Sequence, residues 1–592
     1  LFLALLFHGR AARADSAPLS AYESRTVKEA AARVHAKLRV DAHAEGKRIE
    51  RVDVVIFDVF DEHDPIPDFV NAVHTMTRDF VIRQELLFEE GELYSVKRAE
   101  ETARNLRTIR QLSLVLVVPL EGSAPDRVRV LVITRDVWSL RLNFDIEGGA
   151  GPGNTGINSL LVSPTEENFL GLHTTVGALF TLDPASYSVG GLASQRRLLG
   201  SRIETSVSAS LIYNRQSGTH EGGFGSFTYG APLRSTDDRW GWGTGIVLLD
   251  EIARRFDEGL VERFDAKVTP ADDALPIQYR RQREVGGFEV VRSFGKFEKY
   301  DLYFGIEADR RLARYAHRPN ADPRAEQELI DTWLPVNDTL VDPFVQLRTH
   351  VEDYLRTIDL ETLALQESYR LGPEVLLKLY PSSSAFGSTR DIVGVRSGAS
   401  YTLALGDGLL RAVADNVIEY DRDDRHDASI EASARFASPR VGFGRFVLDG
   451  LLHDRYQDAL NRPFSLGGDG RLRGYAPAGF QGSFRGAHLV AANAEFRTSS
   501  VDILSAECGL AAFYDMGDAV ETRLSDISPK QSVGIGFRAL VPQLNRVVFR
   551  VDWGFPLTPG YSTFPGGVFV TFEQAFAMPA LAAPTVMRPD LE

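Results

Sequence analysis

Two glycine-rich segments near the end of the chain carry the residues best suited to specific polar chemistry. Gly467–Tyr475 contains Arg471 and Arg473, and Phe513–Asp518 contains Asp515. A guanidinium is a planar fork that can bind a carboxylate through two parallel hydrogen bonds. The chemistry open to these residue types is therefore charge pairing that positions a segment of backbone.

The sequence lacks the residue patterns of common catalytic sites. It has no H-E-x-x-H and no G-x-S-x-G motif. The glycines at 467–470 are not followed by Lys-Ser or Lys-Thr, which excludes a phosphate-binding loop there. We therefore expect that the protein is not an enzyme and that it uses no cofactor and no metal.

The elements that must position the charged residues are β-strands. Between residues 138 and 576, apolar and polar residues alternate in segments separated by turn residues, which is the periodicity of strands. In 546–555, Arg550 and Asp552 point to one side and the apolar residues to the other. Helical periodicity is missing from this region.

So many strands without helical cover favour a closed barrel, because closure removes the exposed edges of the sheet. In lipid the outer face is apolar and the lumen is polar, which fits strands that are charged on one side. We predict an all-β transmembrane antiparallel β-barrel of about 20 strands by direct count. Its lumen would hold Glu507, Asp515, Arg550 and Asp552.

Composition narrows the class of protein further. The 592 residues include 66 Lys and Arg against 81 Asp and Glu, a net charge of −15, which argues against binding nucleic acid. Cys508 is the single cysteine, so an intrachain disulfide is excluded. The longest apolar runs are too short for a transmembrane helix.

The first 136 residues divide into three parts. Residues 1–14 read as the end of a signal peptide, with an apolar run and an A-x-A site that ends at Ala14. Residues 15–50 favour one amphipathic helix, interpreted as a spacer or, alternatively, a lumen plug. Residues 51–136 favour a compact α+β domain of order β-α-α-β-β.

Several motifs resemble those of the Omp85 superfamily, the BamA- and TamA-type outer-membrane proteins also called bacterial surface antigen D15. Leu472-Arg473-Gly474-Tyr475 resembles the family's (V/I)RG(F/Y) motif in the sixth extracellular loop. Phe513, Asp515 and Gly517 resemble its F-x-D-x-G strand motif. Weaker matches are Glu167–Gly171, Gly534–Gly536 and Arg550–Asp552.

The domain at 51–136 resembles a POTRA domain, the periplasmic module of the same superfamily. Residues 81–86 and 91–94 fit its first helix and the following turn, and Asn105-Leu106 fits its second helix. Only one such domain fits before the barrel. The family's barrel has 16 strands, whereas the direct count here is higher.

The resemblance implies specific roles for these residues. Arg473 would reach Asp515 as a half-buried pair that anchors the loop in the lumen, Gly474 would let the backbone approach closely, and Tyr475 would stack on the wall. The alternative is that the segment is a flexible surface loop and Asp515 is one lumen carboxylate among many.

The function implied by the resemblance is insertion or translocation of proteins at the outer membrane. The first strand, about 138–147, and the last, about 568–576, would form a seam that opens for strand pairing with a client. Expected partners are outer-membrane lipid, unfolded or secreted client proteins, and periplasmic chaperones or accessory envelope proteins. Alternatives are a two-partner secretion pore, a plain channel or an outer-membrane hydrolase.

Overall fold

The computed structural model describes residues 21–581 apart from several short stretches. Those stretches are 37–38, 61–70, 72–73, 152–153, 258–259, 271, 423–425, 469–470, 477–482, 505, 545–546 and 562–565. The predicted signal segment and the final residues 582–592 lie outside the described residues.

The N-terminal domain is a three-stranded sheet covered by helices on both faces. Its sheet has the order β1-β3-β2, in which β1 is parallel and β2 is antiparallel to the central β3. The elements are α1 Ala21–Arg33, β1 Arg48–Phe57, α2 Asp79–Arg83, α3 Val96–Arg107, β2 Leu112–Glu121 and β3 Arg127–Asp136. The predicted order of strands and helices is observed.

The two faces of this sheet are covered by different helices. Helices α2 and α3 place Ile82, Ala103 and Leu106 against one face. Helix α1 places Val27 and Ala31 against the other face. The alternative that this N-terminal helix plugs the lumen is therefore wrong in this structure, because its apolar side is already buried on the domain. The first residue of α3, Val96, is exposed.

The rest of the described chain is dominated by antiparallel strands that close into a barrel. Twenty strands cross the wall, and the short β28 adds to the edge of β29. In chain order the strands are β4 Leu140–Gly151, β5 Asn154–Glu166, β6 Thr174–Leu182, β7 Ser186–Gln195, β8 Glu204–Asn214, β9 His220–Ala231, β10 Trp240–Arg254, β11 Phe256–Asp257, β12 Leu260–Val261, β13 Arg263–Phe264, β14 Leu275–Pro276, β15 Gln278–Phe294, β16 Glu298–Arg314, β17 Asp338–Val351, β18 Tyr354–Ile358, β19 Gln366–Arg370, β20 Gly372–Ser382, β21 Ile392–Leu405, β22 Gly408–Asp421, β23 Asp427–Ala437, β24 Gly444–Asp458, β25 Phe464–Leu466, β26 Phe484–Gly486, β27 His488–Thr498, β28 Val501–Ile503, β29 Ala506–Val520, β30 Lys530–Leu540, β31 Phe549–Pro556 and β32 Gly567–Phe572.

The observed count agrees with the direct count from the sequence and not with the 16 strands that the family resemblance implies. The alternation sets which side faces outward: Phe304 and Ile306 are exposed on the outer face, while Asp301 is buried inside. No helix in the described part of the chain is long and apolar enough to cross a membrane.

The barrel has a near rim, beside the N-terminal domain, and a far rim opposite it. Because β4 starts at the near rim and successive strands alternate, the connections β10–β15, β16–β17 and β24–β27 all lie at the far rim. The hairpins β11–β12 and β13–β14 and helix α4 Pro323–Trp333 belong to these far-rim loops. The hairpin β18–β19 lies at the near rim.

The last strand is shorter than the sequence suggests. Strand β32 ends at Phe572, whereas the alternation predicted a strand that continued to Phe576. Phe576 is instead buried inside the barrel with Leu355, Leu360 and Leu409. The chain turns inward after β32, since this aromatic residue finds an apolar environment in the interior. We call residues Glu573–Leu581 the post-barrel segment.

Candidate functional site

Residues Arg471–Tyr475 lie inside the barrel and not on its surface. They belong to the long far-rim loop between β24 and β27, which contains the short hairpin β25–β26. Leu472 and Tyr475 are buried in a cluster with Leu466, Phe484 and Leu489. This apolar packing brings the loop tip against the inner face of strands β27 and β29.

Arg473 is held by three carboxylates. Its Nε and one terminal nitrogen donate to the two oxygens of Asp515, both at 2.8 Å, which is the bidentate geometry of a guanidinium fork. Its other terminal nitrogen lies 2.6 Å from Glu495 and 3.1 Å from Asp552. All four side chains are fully buried, so the environment is more enclosed than the half-buried pair expected from the sequence.

Further arginines balance these carboxylates. Arg550 lies 2.9 Å from Asp552, Arg497 lies 2.7 Å from Glu495, and Arg538 also pairs with Asp552. A buried charge requires partners, because an unpaired one carries a desolvation cost of several kcal/mol. We call Arg473, Glu495, Arg497, Asp515, Arg538, Arg550 and Asp552 the arginine network.

Three members of this network, Glu495, Arg497 and Arg538, were not predicted from the sequence. Residues 488–498 do alternate, and the buried members of β27 include Asn493, Glu495 and Arg497. Two charged residues and an amide on one side of a single strand could have predicted that this strand contributes to a polar network in the lumen. Their partners lie on other strands, however, and the pairing could not be read from local spacing.

Aromatic and glycine residues shape the space around the guanidinium. The ring of Phe513 lies under Arg473, with 3.4 Å between the guanidinium carbon and the ring centroid, a cation–π contact. Gly534 leaves room for the Phe513 ring, and Gly536 leaves room for the Asp552 carboxylate. Gly517 lies against Leu466 of the loop.

Gly474 allows the loop backbone to touch the barrel wall. It has a φ of +96°, and a Cβ at this position would lie 2.9 Å from the carbonyl group of Gly554 in β31. The next residue, Tyr475, places its hydroxyl 2.8 Å from the carbonyl oxygen of Gln531. Its ring packs against those of Phe484 and Tyr561. The loop is therefore held by backbone proximity as well as by charge.

The structure places the remaining predicted lumen residue elsewhere. Glu507 lies on the same face of β29 as Asp515 but near the strand end at the near rim, where it is half-buried. It is not brought together with Arg473. Among the described residues, no group of three His, Cys, Asp or Glu side chains is placed to hold a metal ion.

The segment Glu167–Gly171 joins the barrel to the N-terminal domain. It forms the near-rim turn after β5, the second barrel strand. Asn168 donates to the carbonyl oxygen of Thr75 at 3.0 Å and accepts from the backbone N–H of His173 at 3.0 Å. The His173 ring lies 3.0 Å from the hydroxyl of Thr77. Burial lowers the pKa of His173 to about 4.

Charged residues form a second contact between the N-terminal domain and the barrel. Glu85, after α2, binds Arg197, and Arg196 and Arg234 lie within 3.7 Å of the same carboxylate. Burial acts to raise the pKa of Glu85, but the hydrogen bond from Arg197 and the three positive charges outweigh it, so the pKa is lowered. Helix α3 adds Glu101, which accepts from the backbone N–H of Thr236 at 2.6 Å. The domain is thus attached to several near-rim turns.

Fold and site together define a closed antiparallel β-barrel with an arginine-anchored internal loop and an attached α+β domain. Residues 454–562, which include the loop and the strands that bind it, match the Omp85 superfamily domain. Over this region the chain is similar to the Omp85 superfamily.

Individual relatives are more distant. The chain is 25% identical over 173 residues to a putative outer membrane protein assembly factor of Treponema pallidum, a match that covers 29% of this chain and 20% of the relative. The chain thus spans about one fifth of the length of this curated relative.

Two solved structures are similar in fold. BamA from Haemophilus ducreyi lacking POTRA domains 1–3 is 12% identical, with a TM-score of 0.35 over 89% of this chain and 84% of that chain. CdiB from Escherichia coli is 11% identical, with a TM-score of 0.43 over 95% of this chain and 94% of that chain.

Proposed function

We propose that this chain is an outer-membrane barrel that inserts or translocates client proteins by pairing strands at the β4–β32 seam. The observation that carries this proposal is the shortness of the seam. Its register runs only from Ile146–Val570 to Gly149–Gly567, which is four residue pairs. The β15–β16 pair, by contrast, runs from Arg280–Arg314 to Phe294–Tyr300.

A short seam is easier to open than any long strand pair in the wall. Each backbone pair contributes hydrogen bonds that a client strand can replace, so opening and client pairing exchange similar bonds. No nucleotide is needed, since strand pairing and burial of apolar side chains in lipid supply the free energy. The near-rim end of β4 lies beyond the described register with β32, and its edge is where a client strand would begin.

The arginine network supports this function by holding the loop beside the seam. Gly474 lies against Gly554 of β31, and a Cβ added to Gly567, at the start of β32, would lie 3.1 Å from the Cα of Gly474. A loop held here stabilises the last strands while β32 separates from β4. The name of the curated relative, an outer membrane protein assembly factor, agrees with this role.

The N-terminal domain takes the role of a POTRA module in this proposal. It would lie in the periplasm and receive unfolded or secreted clients from chaperones or accessory envelope proteins. Both faces of its sheet are covered by helices, so an extended client would add to the edge of β1 or β2, away from the ends that already pair near Leu93 and Val40.

A disulfide across the seam tests the proposal. The variant Ile146→Cys with Val570→Cys, in a Cys508→Ser background, joins β4 to β32 at a register pair. We expect the oxidised protein to lose insertion of a client barrel into liposomes, and reduction to restore it. The matched control is Val533→Cys with Phe555→Cys, which joins β30 to β31. Full activity of the oxidised seam variant would contradict the proposal.

A further inference from the structure

The post-barrel segment crosses the interior of the barrel. It starts at the near-rim end of β32 and ends with Leu581 packed against Leu376 of β20 and Val413 of β22. Those strands lie seven or more neighbours away from β32 around the wall. Ala575 and Phe576 are buried on the way. A chain that leaves the last strand could continue into solvent, so an inward path that orders these residues needs a specific attachment.

Arg435 provides that attachment. Its side chain is completely buried on β23, and one terminal nitrogen donates to the carbonyl oxygens of Phe576 at 3.0 Å and Ala577 at 2.9 Å. Its remaining nitrogens bind Asp449 and Glu361, both at 2.8 Å. Two successive backbone carbonyls are a feature of any extended polypeptide, so this contact does not depend on side-chain identity.

The Phe576 ring has guanidinium groups as well as apolar side chains as neighbours. The guanidinium carbons of Arg435, Arg471 and Arg497 lie 4.9, 5.4 and 5.7 Å from its ring centroid. Its apolar neighbours include Leu360 in the near-rim loop between β18 and β19. The same loop accepts a hydrogen bond from Gln574 through the carbonyl oxygen of Glu361, at 3.0 Å. The segment therefore joins the far-rim loop to the near-rim hairpin in the middle of the lumen.

The attachments of this segment differ from those of the arginine network. Arg473 is bound by the side chains of three carboxylates, whereas the post-barrel segment is held by two of its backbone carbonyls, the Gln574 side chain and a few apolar side chains, and none of its own charged groups takes part in these contacts. Backbone carbonyls can be supplied by another extended chain without leaving Arg435 unpaired. The post-barrel segment can therefore be released from Arg435 at lower cost than the loop that Arg473 anchors.

We propose that the post-barrel segment Glu573–Leu581 is an intramolecular plug that closes the barrel interior, and that its release opens a conduit between the two rims. Closure is provided by the segment itself, which spans the lumen from β32 to the opposite wall. The binding site that Arg435 and the side chains around Phe576 form is then free for an extended polypeptide. This conduit is separate from the seam, so the plug does not depend on strand pairing at β4 and β32.

Conductance in planar lipid bilayers tests the plug. A chain that stops after Phe572 lacks the whole segment, and the matched control stops after Leu581 and keeps every contact described above. We expect the first to show a several-fold larger single-channel conductance than the full chain, and the control to match the full chain. Heat-modifiable gel mobility verifies that the full chain and both shortened chains are folded. Equal conductance of these three proteins would overturn the proposal.

A disulfide that ties the post-barrel segment to the wall gives a second test of the plug, which does not require the shortened chain to fold. Arg435→Lys retains the charge beside Asp449 and Glu361 but loses the fork that binds two carbonyls. We expect this variant to open more often than the unchanged protein. Adding Val413→Cys and Leu581→Cys in a Cys508→Ser background should abolish these openings when oxidised and restore them on reduction. Openings that are insensitive to oxidation, or absent altogether, would overturn the proposal.

Discussion

At the scale of single residues, the interior of this protein is organised around one guanidinium. Arg473 binds Asp515, Glu495 and Asp552 at once, so its removal takes the bidentate cationic partner from buried Asp515 and weakens the pairing of Glu495 and Asp552. Such a loss is far more costly than the net contribution of the intact ion pairs. The position of the loop therefore depends strongly on this one side chain.

We expect Arg473→Ala to lower the free energy of unfolding by about 3–5 kcal/mol, because it strands buried charge. Urea unfolding in detergent, followed by heat-modifiable gel mobility, measures the loss. Arg310→Ala is the matched control, since Arg310 and Glu284 form an exposed pair whose removal should cost less than about 1 kcal/mol. Equal losses for the two variants would mean that the network does not stabilise the barrel.

Gly474 offers a second comparison at this scale. Gly474→Ala introduces a side chain at a φ of +96° and against Gly554, whereas Gly560→Ala meets a φ of +91° with open space around it. The backbone alone should cost about 1–2 kcal/mol in both variants. We expect Gly474→Ala to be clearly more destabilising in the same unfolding measurement, because the loop must move from the wall. Similar losses would show that the close approach is unimportant.

At the scale of elements, the near-rim turns and the N-terminal domain form a junction that we expect to respond to pH. His173 is buried at the junction with its pKa lowered from 6.5 to about 4. The unfolded state therefore binds more protons between these values, and the junction is most stable above pH 6.5 and loses stability as the pH falls toward 4. Glu85, whose pKa is also lowered, adds a loss below its ordinary value of 4.5.

We expect acidification to loosen the domain from the barrel before the barrel itself unfolds. Hydrogen exchange of the turn at 167–173, measured between neutral pH and about pH 4, reports this loosening after correction for the intrinsic rate. His173→Gln, which cannot take up the proton, should remove the part of the response above pH 4.5. A pH response that is unchanged in this variant would exclude His173 as its source.

Secondary-structure elements could be predicted from the sequence more fully than the side-chain contacts between them. Alternation identified the strands and gave the strand count, and local helical spacing identified α1 and α3. The inward position of Asp515 followed from its neighbour Tyr514 on the same strand. Glu495 and Arg538 were missed because their pairing with Arg473 and Asp552 depends on strands brought together only by the closed wall. Phe576 was assigned to the last strand because an aromatic residue fits that alternation equally well.

At the scale of the whole molecule, the interior of a wide barrel is filled from both rims. Barrel diameter grows with strand number, so twenty strands enclose more space than their own side chains fill. The far-rim loop, the near-rim hairpin β18–β19 and the post-barrel segment occupy that space together. Helix α1, in contrast, lies outside the barrel on the N-terminal domain.

Deletion of residues 21–33 should therefore leave the conductance of the barrel unchanged in planar bilayers. The same deletion should destabilise the N-terminal domain, because it exposes the apolar face that Val27, Ala30 and Ala31 cover. Thermal unfolding of the domain, followed by hydrogen exchange of β1 and β3, measures this effect. A rise in conductance on deletion would instead show that the helix visits the lumen.

The even number of strands has a consequence for where the two ends of the barrel emerge. An antiparallel cylinder with an even strand count returns the chain to the side from which it entered. The polypeptide therefore enters from the N-terminal domain and exits β32 at the same rim. The N-terminal domain and the residues that follow β32 therefore lie on the same side of the barrel, so direct contact between them would require neither segment to pass through the wall.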